Sequence, residues 1–230
     1  LAEQDVSQLA QVKVVAQVPS FDVEVTTVSR TPSTVGKTAA AVFVITNDMI
    51  RRSGATSVPE VLRMAPGVQV ARIDSNKWAI TIRGFNDRFA NKLLVQVDGR
   101  TVYSPLYAGV FWDAQDLLLE DIDRIEVIRG PGASVWGANA VNGVINILTK
   151  KAADTQGLLV QSGAGRYERG FVNLRYGGQL ADDVDYRIYG KWFEPGTGTS
   201  LDPTTDPSDD WRLGHGVVRV DWDPDRAGGN

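Results

Sequence analysis

The sequence predicts an α+β domain followed by antiparallel β-strands of an incomplete transmembrane β-barrel. Three observations carry this. Over residues 39–151, short apolar runs alternate with two helical segments and glycine-rich turns. Beyond Lys151 the segments lengthen and alternate strictly between apolar and polar side chains, the pattern of a barrel wall. No run of about 18 apolar residues occurs, so there is no candidate membrane helix and a bilayer could be crossed only by strands.

The composition narrows the function. With 230 residues, 43% of them hydrophobic, the chain can bury an ordinary core. A formal charge of -4, with acids and bases mixed along the chain, offers no basic stripe for a phosphate backbone and excludes nucleic acid as a partner. The chain has no cysteine and one histidine, which removes disulfides, thiolate catalysis and any ordinary zinc site.

Residues 1–38 read as a flexible leader: polar, β-branched, interrupted by Pro19 and Pro32, with few large side chains to bury. Inside it, Phe21-Asp22-Val23-Glu24-Val25-Thr26-Thr27-Val28 has the extended character of a peptide able to add to another sheet's edge. Ala41-Val42-Phe43-Val44-Ile45 reads as a buried strand. A helix follows, with Asn47 as its cap, Asp48 at its positive end and Gly54 as its left-handed stop. A second helix begins after Thr56-Ser57 with Pro59 in its first turn and ends before Pro66-Gly67. Strands are expected over 67–71, 79–83, 93–97, 122–129 and 143–149, with Asp98-Gly99 as a hairpin turn and Gly130-Pro131-Gly132 as a sharp break.

In the second half, 158–165, 170–179, 184–192 and 216–222 fit alternating templates. The clearest is Val184-Asp185-Tyr186-Arg187-Ile188-Tyr189-Gly190-Lys191-Trp192, with Val, Tyr, Ile, Gly and Trp on one face and Asp, Arg, Tyr and Lys on the other. Residues 178–183 form a tight turn, 195–210 a long outer loop, and Tyr176, Trp192 and Trp222 suit a membrane-interface belt. The same alternation also fits a water-exposed antiparallel sandwich.

No catalytic constellation survives inspection. Gly36-Lys37-Thr38 lacks the earlier glycine of a phosphate loop, since Thr31 stands there, and Gly163-Ala164-Gly165 has Glu168 where a dinucleotide fingerprint needs a third glycine. Asp206, Asp209 and Asp210 lack the hinge glycine of a calcium loop and are expected to be solvated carboxylates. His215 reads as a plain strand residue, and Glu120-Asp121-Asp123 as an exposed acidic face. No catalytic residue, metal site or cofactor is expected.

Three stretches resemble the plug domain of TonB-dependent outer-membrane receptors. They are Ile82-Arg83-Gly84-Phe85, Leu94-Val95-Gln96-Val97-Asp98-Gly99-Arg100 and Ile122-Asp123-Arg124-Ile125-Glu126-Val127-Ile128-Arg129-Gly130-Pro131. The last continues through Trp136-Gly137-Ala138-Asn139-Ala140-Val141-Asn142-Gly143-Val144-Ile145-Asn146-Ile147-Leu148-Thr149-Lys150. The resemblance implies a plug domain over 39–151 and the first wall strands over 152–230. It also implies a Gram-negative outer-membrane location, with plug and leader facing the periplasm.

What the resemblance implies about function follows from that architecture. Glu24, Val25, Thr26, Thr27 and Val28 resemble the TonB box, which pairs by strand addition with TonB, the periplasmic energy-coupling protein. Arg83, Glu126 and Arg129 are expected to make polar plug–barrel contacts, and glycines 84, 130, 132, 137 and 143 to serve tight turns and close packing. Arg88, Phe89, Tyr103, Tyr107 and Trp112 are expected to contact the ligand from aromatic-rich apical loops. The other partners are outer-membrane lipid and a scarce solute, by default a ferric siderophore; cobalamin, haem or an oligosaccharide is an alternative cargo. A second reading is a sensor that relays ligand occupancy without transport. About four strands cannot close a barrel, so the sequence is expected to be a truncated piece that does not transport alone.

Overall fold

A computed structural model describes residues 23–27, 33–38, 40–165, 168–196, 209 and 211–227. Val28 and most of the expected outer loop lie outside these residues. In chain order, β1 (Glu24–Val25) pairs antiparallel with β2 (Ser33–Thr34), and a 3-10 turn over Val35–Lys37 leads to β3 (Ala41–Thr46). Then come α1 (Asn47–Ser53), α2 (Val58–Leu62), β4 (Val68–Arg72), β5 (Trp78–Ile82), β6 (Leu93–Val97) and β7 (Arg100–Thr101). A 3-10 turn over Leu119–Asp121 opens β8 (Ile122–Arg129), followed by α3 (Ala133–Trp136) and β9 (Gly143–Thr149).

The plug is built on a five-stranded sheet in the order β3-β8-β9-β6-β7, in which only β6 and β9 run parallel; β4 and β5 form a separate hairpin. The expected turn joins β6 to β7: Asp98 and Gly99 both take left-handed φ, 49° and 76°, and place Val97 opposite Arg100. One face of the sheet, through Ile45, Ile125, Val127, Ile145, Ile147 and Val95, meets Ile50, Val58, Val61, Leu62, Trp78, Ile80 and Ile82 in the main core. Burying each such aliphatic contributes about 1.5–3 kcal/mol. The other face carries a small apolar cluster around Leu94, Ile128, Ala140 and Val144. Beside it the register lines up Val44, Glu126, Asn146 and Gln96 in one row across the strands.

Helix α1 stops as expected at Gly54, left-handed at φ 70°. Its cap is one residue earlier than expected: the Thr46 hydroxyl accepts the Met49 N–H at 3.3 Å. Asn47 is drawn elsewhere, donating to the Ile122 carbonyl at 2.6 Å and accepting from Lys150 at 3.1 Å.

A 3-10 turn over Ala152–Thr155 connects the plug to β10 (Gly157–Gly163), β11 (Glu168–Ala181), β12 (Val184–Pro195) and β13 (Leu213–Trp222), with a short α4 (Pro224–Ala227) after them. The four strands form one antiparallel sheet in sequence order. Its outward face is apolar: Leu158, Val160, Val172, Leu174, Tyr176, Ile188, Trp192, Val218, Val220 and Trp222 are exposed, and the register sets Leu158 beside Tyr176 and Tyr176 beside Ile188. Its inward face, with Asn173, Asp185, Arg187, Tyr189 and Lys191, is buried. A water-soluble sandwich would reverse this polarity. Among the described residues no helix is long and apolar enough to cross a membrane.

Candidate functional site

Three regions stand out: a seam between plug and wall, an aromatic turn cluster, and the docked leader. At the seam, acids come from the plug and bases from the wall. Asp121 is only 2% exposed, and accepts from Arg175 of β11 at 2.5 Å with Arg187 Nε of β12 at 3.1 Å. Asp116 accepts from Lys191 at 2.7 Å, and Glu120 from Gln161 at 3.2 Å. Arg219 of β13 reaches Asp98 at 3.4 Å and donates to the Thr149 hydroxyl at 2.6 Å. His215, expected as a plain strand residue, faces the same seam, with Nδ1 3.9 Å from Asp116. Buried charge persists only when paired, so these contacts hold the plug against the wall.

This seam was not among the expected polar contacts. Asp121 is not part of an exposed face, because the 3-10 turn before β8 rotates its carboxylate into the junction. Of the expected contacts, Arg83 is exposed and Arg129 donates to the Pro66 carbonyl at 3.3 Å; neither bonds a described wall strand. Arg83, Gly84 and Phe85 take successive left-handed φ of 59°, 91° and 58°, tied by the Thr81 hydroxyl to the Gly84 carbonyl at 2.8 Å. Holding the two non-glycine residues there costs about 1–3 kcal/mol each, which marks this turn as a place where shape outweighs stability.

In the turns that follow β5 and β7, Phe89 stacks on Tyr107 at 5.4 Å, and Phe111 meets both rings edge-on at 5.0 Å. The Arg88 guanidinium lies 5.0 Å from the Phe89 ring centre. Tyr103 is half-buried beside the Ser104–Gly109 bridge. The structure thus brings Arg88, Phe89 and Tyr107 together, and places Trp112, 5% exposed, in the main core apart from them. Asp209, expected to be solvated, accepts the Ser75 N–H at 3.0 Å and its carbonyl accepts the Ser75 hydroxyl. Asp206 and Asp210 lie outside the described residues.

The turn carrying Ser75 has its own anchor. Burial alone would push the Asp74 carboxyl up, but the Lys77 ammonium and the N–H groups of Asn76 and Lys77 outweigh it and hold the carboxyl below the usual aspartate range. A lowered folded-state value means the stabilisation is complete above the unfolded-state value, near about pH 4, and is lost as pH falls through the folded one. Amide exchange at Asn76 and Lys77 is therefore expected to accelerate relative to β8 on acidification from about pH 5 to about pH 3. Unchanged relative protection would show that the carboxylate does not hold the turn.

The leader lies on the sheet face opposite the main core. Glu126, fully buried at 0% exposed, accepts the Thr27 N–H at 2.8 Å and the Thr26 N–H at 3.0 Å. Trp136 donates Nε1–H to the Thr27 carbonyl at 2.7 Å, and Asn146 donates to the Thr27 hydroxyl at 3.0 Å. Glu126 was expected at the wall, but its strand is paired on both edges, by β3 and β9, and its side chain is covered by the leader. Arg124 donates to it at 2.9 Å, and although burial opposes the charge, Glu126 and Asp123 together hold the guanidinium above its ordinary range. Sequence reasoning missed Asn146 and Trp136 as leader contacts; the in-register polar pair Glu126 and Asn146 inside two apolar strands was the available signal.

Residues 34–144 match the TonB-dependent Receptor Plug Domain family. The chain is 32% identical over 151 residues to the vitamin B12 transporter BtuB of Vibrio vulnificus, a match covering 65% of this chain and 24% of that protein. It is also 32% identical over 202 residues to the ferric enterobactin receptor of Pseudomonas aeruginosa, covering 78% of this chain and 25% of that one. Among solved structures, the siderophore receptor PirA from Pseudomonas aeruginosa aligns with a TM-score of 0.57 at 27% identity, over 81% of this chain and 33% of that chain. The fold and these matches define a plug followed by barrel-wall strands, and the chain belongs to the TonB-dependent receptors of the Gram-negative outer membrane. It spans about a quarter of the length of the curated relatives it matches, which are named as transporters and receptors rather than enzymes.

Proposed function

We infer that this chain is the gate of an active uptake receptor for ferric siderophores, energised through its leader by TonB. The observation that carries the reading is the seam. The plug is fastened to the wall by ion pairs and hydrogen bonds, and cavities of about 550 and 590 Å³ open along the junction on either side of Leu118. Contacts of this kind exchange with water as a plug moves, whereas an apolar interface would resist separation. In this reading 1–38 is the coupling leader with the TonB box at Glu24, Val25, Thr26, Thr27 and Val28, 39–151 the plug, and 152–230 the first wall strands, set in outer-membrane lipid. Arg83 and Arg129 meet carboxylates of further wall strands, and Arg88, Phe89, Tyr103 and Tyr107 read the ligand.

Siderophore cargo is supported by the receptors named for ferric enterobactin and siderophores among the relatives. Cobalamin is the second reading, because the Vibrio vulnificus relative is named as a vitamin B12 transporter. The test is uptake of radiolabelled ferric siderophores and cobalamin by cells carrying the full-length reading frame, with and without Val25→Pro. Proline removes the N–H needed for strand addition. Uptake is expected to fall to background while ligand binding persists, and the label taken up identifies the cargo. Binding without uptake in both versions would overturn transport in favour of the sensor.

A further inference from the structure

We propose that His215 of β13 and Asp116 of the plug form a proton-operated latch across the seam, which grips the seated plug in acid and loses its hold as the pH rises through the histidine range.

Both groups are held in place with capacity left over. Asp116 lies in the chain between two buried anchors, Trp112 and Leu118, at 5% and 1% exposed, so its position on the plug is fixed. One of its oxygens, Oδ1, accepts from Lys191 at 2.7 Å. The other, Oδ2, is buried and takes no hydrogen bond among the described residues, and the same is true of both ring nitrogens of His215. His215 Nδ1 lies 3.9 Å from that oxygen. This is too long for the hydrogen bond of a neutral ring, but an imidazolium there meets an opposite charge at close range.

The charges around the ring decide the direction. Asp116 faces it from the plug. From β12 come Lys191, its register partner, and Tyr189, whose ring meets it edge-on at 5.9 Å. Glu168 of β11, which acts on Asp116 and Lys191, is itself offset by Arg72 of the plug. With the plug seated, the Asp116 carboxylate favours the protonated ring. With the plug away, Lys191 is left facing the ring and opposes the proton. Seating therefore binds a proton and the proton stabilises seating, by a single linkage. The added hold is complete where the ring is charged even with the plug away, and it is lost as pH rises through the range in which the seated ring gives up its proton, about 6.5 for an ordinary histidine.

The latch requires only a plug that seats on this wall, so its test does not depend on the cargo. The experiment follows amide hydrogen exchange over residues 113–121 in full-length receptor in nanodiscs, from about pH 7.5 to about pH 5.5, corrected for the intrinsic pH dependence of exchange and with β8 as the reference for an intact plug. In the wild type, protection of this segment is expected to rise about tenfold on acidification, the factor given by one unit of difference in proton affinity between seated and unseated plug. His215→Gln, which keeps a polar side chain but carries no charge, should hold the segment at the wild type's neutral level at every pH. His215→Lys, charged throughout, should hold it at the acid level. A wild-type profile without slope, the same slope in His215→Gln, or a His215→Lys receptor no better protected than His215→Gln overturns the latch. Asp116→Asn keeps the size of the partner and should flatten the profile with His215 in place; a slope that survives it puts the proton elsewhere and equally overturns the proposal.

Discussion

Asp121→Ala is expected to destabilise the docked plug by about 3–5 kcal/mol, because it leaves two largely buried cations without their carboxylate. Arg175 and Arg187 arrive from neighbouring wall strands and share this one carboxylate, at 2.5 and 3.1 Å. Their side chains are 13% and 4% exposed. Among the described residues, Arg187 keeps a hydrogen bond to the Lys150 carbonyl, at 3.1 Å, once Asp121 is gone. Asp121→Asn should cost less, since an amide oxygen still accepts one hydrogen bond from either guanidinium. The measurement is denaturant unfolding of the full-length receptor, with entry of a large hydrophilic antibiotic into cells as a readout of plug seating. A double-mutant cycle with Arg187→Ala separates the pair from the fold, and should return a coupling of at least about 1 kcal/mol. Additive effects, or an Asp121→Ala receptor as stable as wild type, would show that the seam is solvated and that its ion pairs contribute nothing.

Local chemistry was the part of this fold that the sequence made legible. The Asp98-Gly99 turn, the Gly54 stop and the strands around Val95, Ile125 and Ile145 are specified by neighbours in the chain, and the structure has them where periodicity and turn residues put them. So is the wall: the alternation through Arg187, Tyr189 and Lys191 assigns an inward face before any partner is known. What sequence periodicity could not supply was the partner of each inward or buried polar group. Asn47 yields the cap to Thr46 because Ile122 and Lys150, distant in the chain, claim its side chain. Asp121 resembled a solvated acid because the cations that bury it follow 54 and 66 residues later, at Arg175 and Arg187. Glu126 was expected at the wall from the family resemblance, yet the carboxylate faces its own leader, 99 residues upstream at Thr27. Trp112 shows the converse, since an aromatic in a surface loop sequence can still be the loop's anchor in the core.

Gly143→Ala is expected to disrupt the plug sheet although it adds a single methyl group. Gly143 opens the parallel partner strand of β6, facing Leu93 on one side and Arg129 of β8 on the other. A Cβ built there would lie 2.5 Å from the Ile128 carbonyl oxygen and 2.8 Å from Ile82 Cδ1. The side chain of Ile82 can yield, but the carbonyl belongs to a central strand and moves only if β8 shifts against β9. Overpacking of this kind costs about 1–3 kcal/mol, and the backbone obstacle places this site at the upper end. The strain is one of space, in contrast to Gly84, where φ of 91° with nothing within 4 Å makes alanine a purely conformational cost of about 1 kcal/mol. Gly190, on the outward face of β12 with nothing within 4 Å, is the control, and alanine there should stay within about 0.5 kcal/mol of wild type. Unfolding midpoints of the three full-length variants should therefore rank Gly143→Ala lowest, Gly84→Ala intermediate and Gly190→Ala unchanged. A Gly143→Ala receptor that unfolds with Gly190→Ala would mean that β8 and β9 can part without loss, and that the sheet beneath the leader is not the rigid floor on which a buried carboxylate could hold two backbone amides in place.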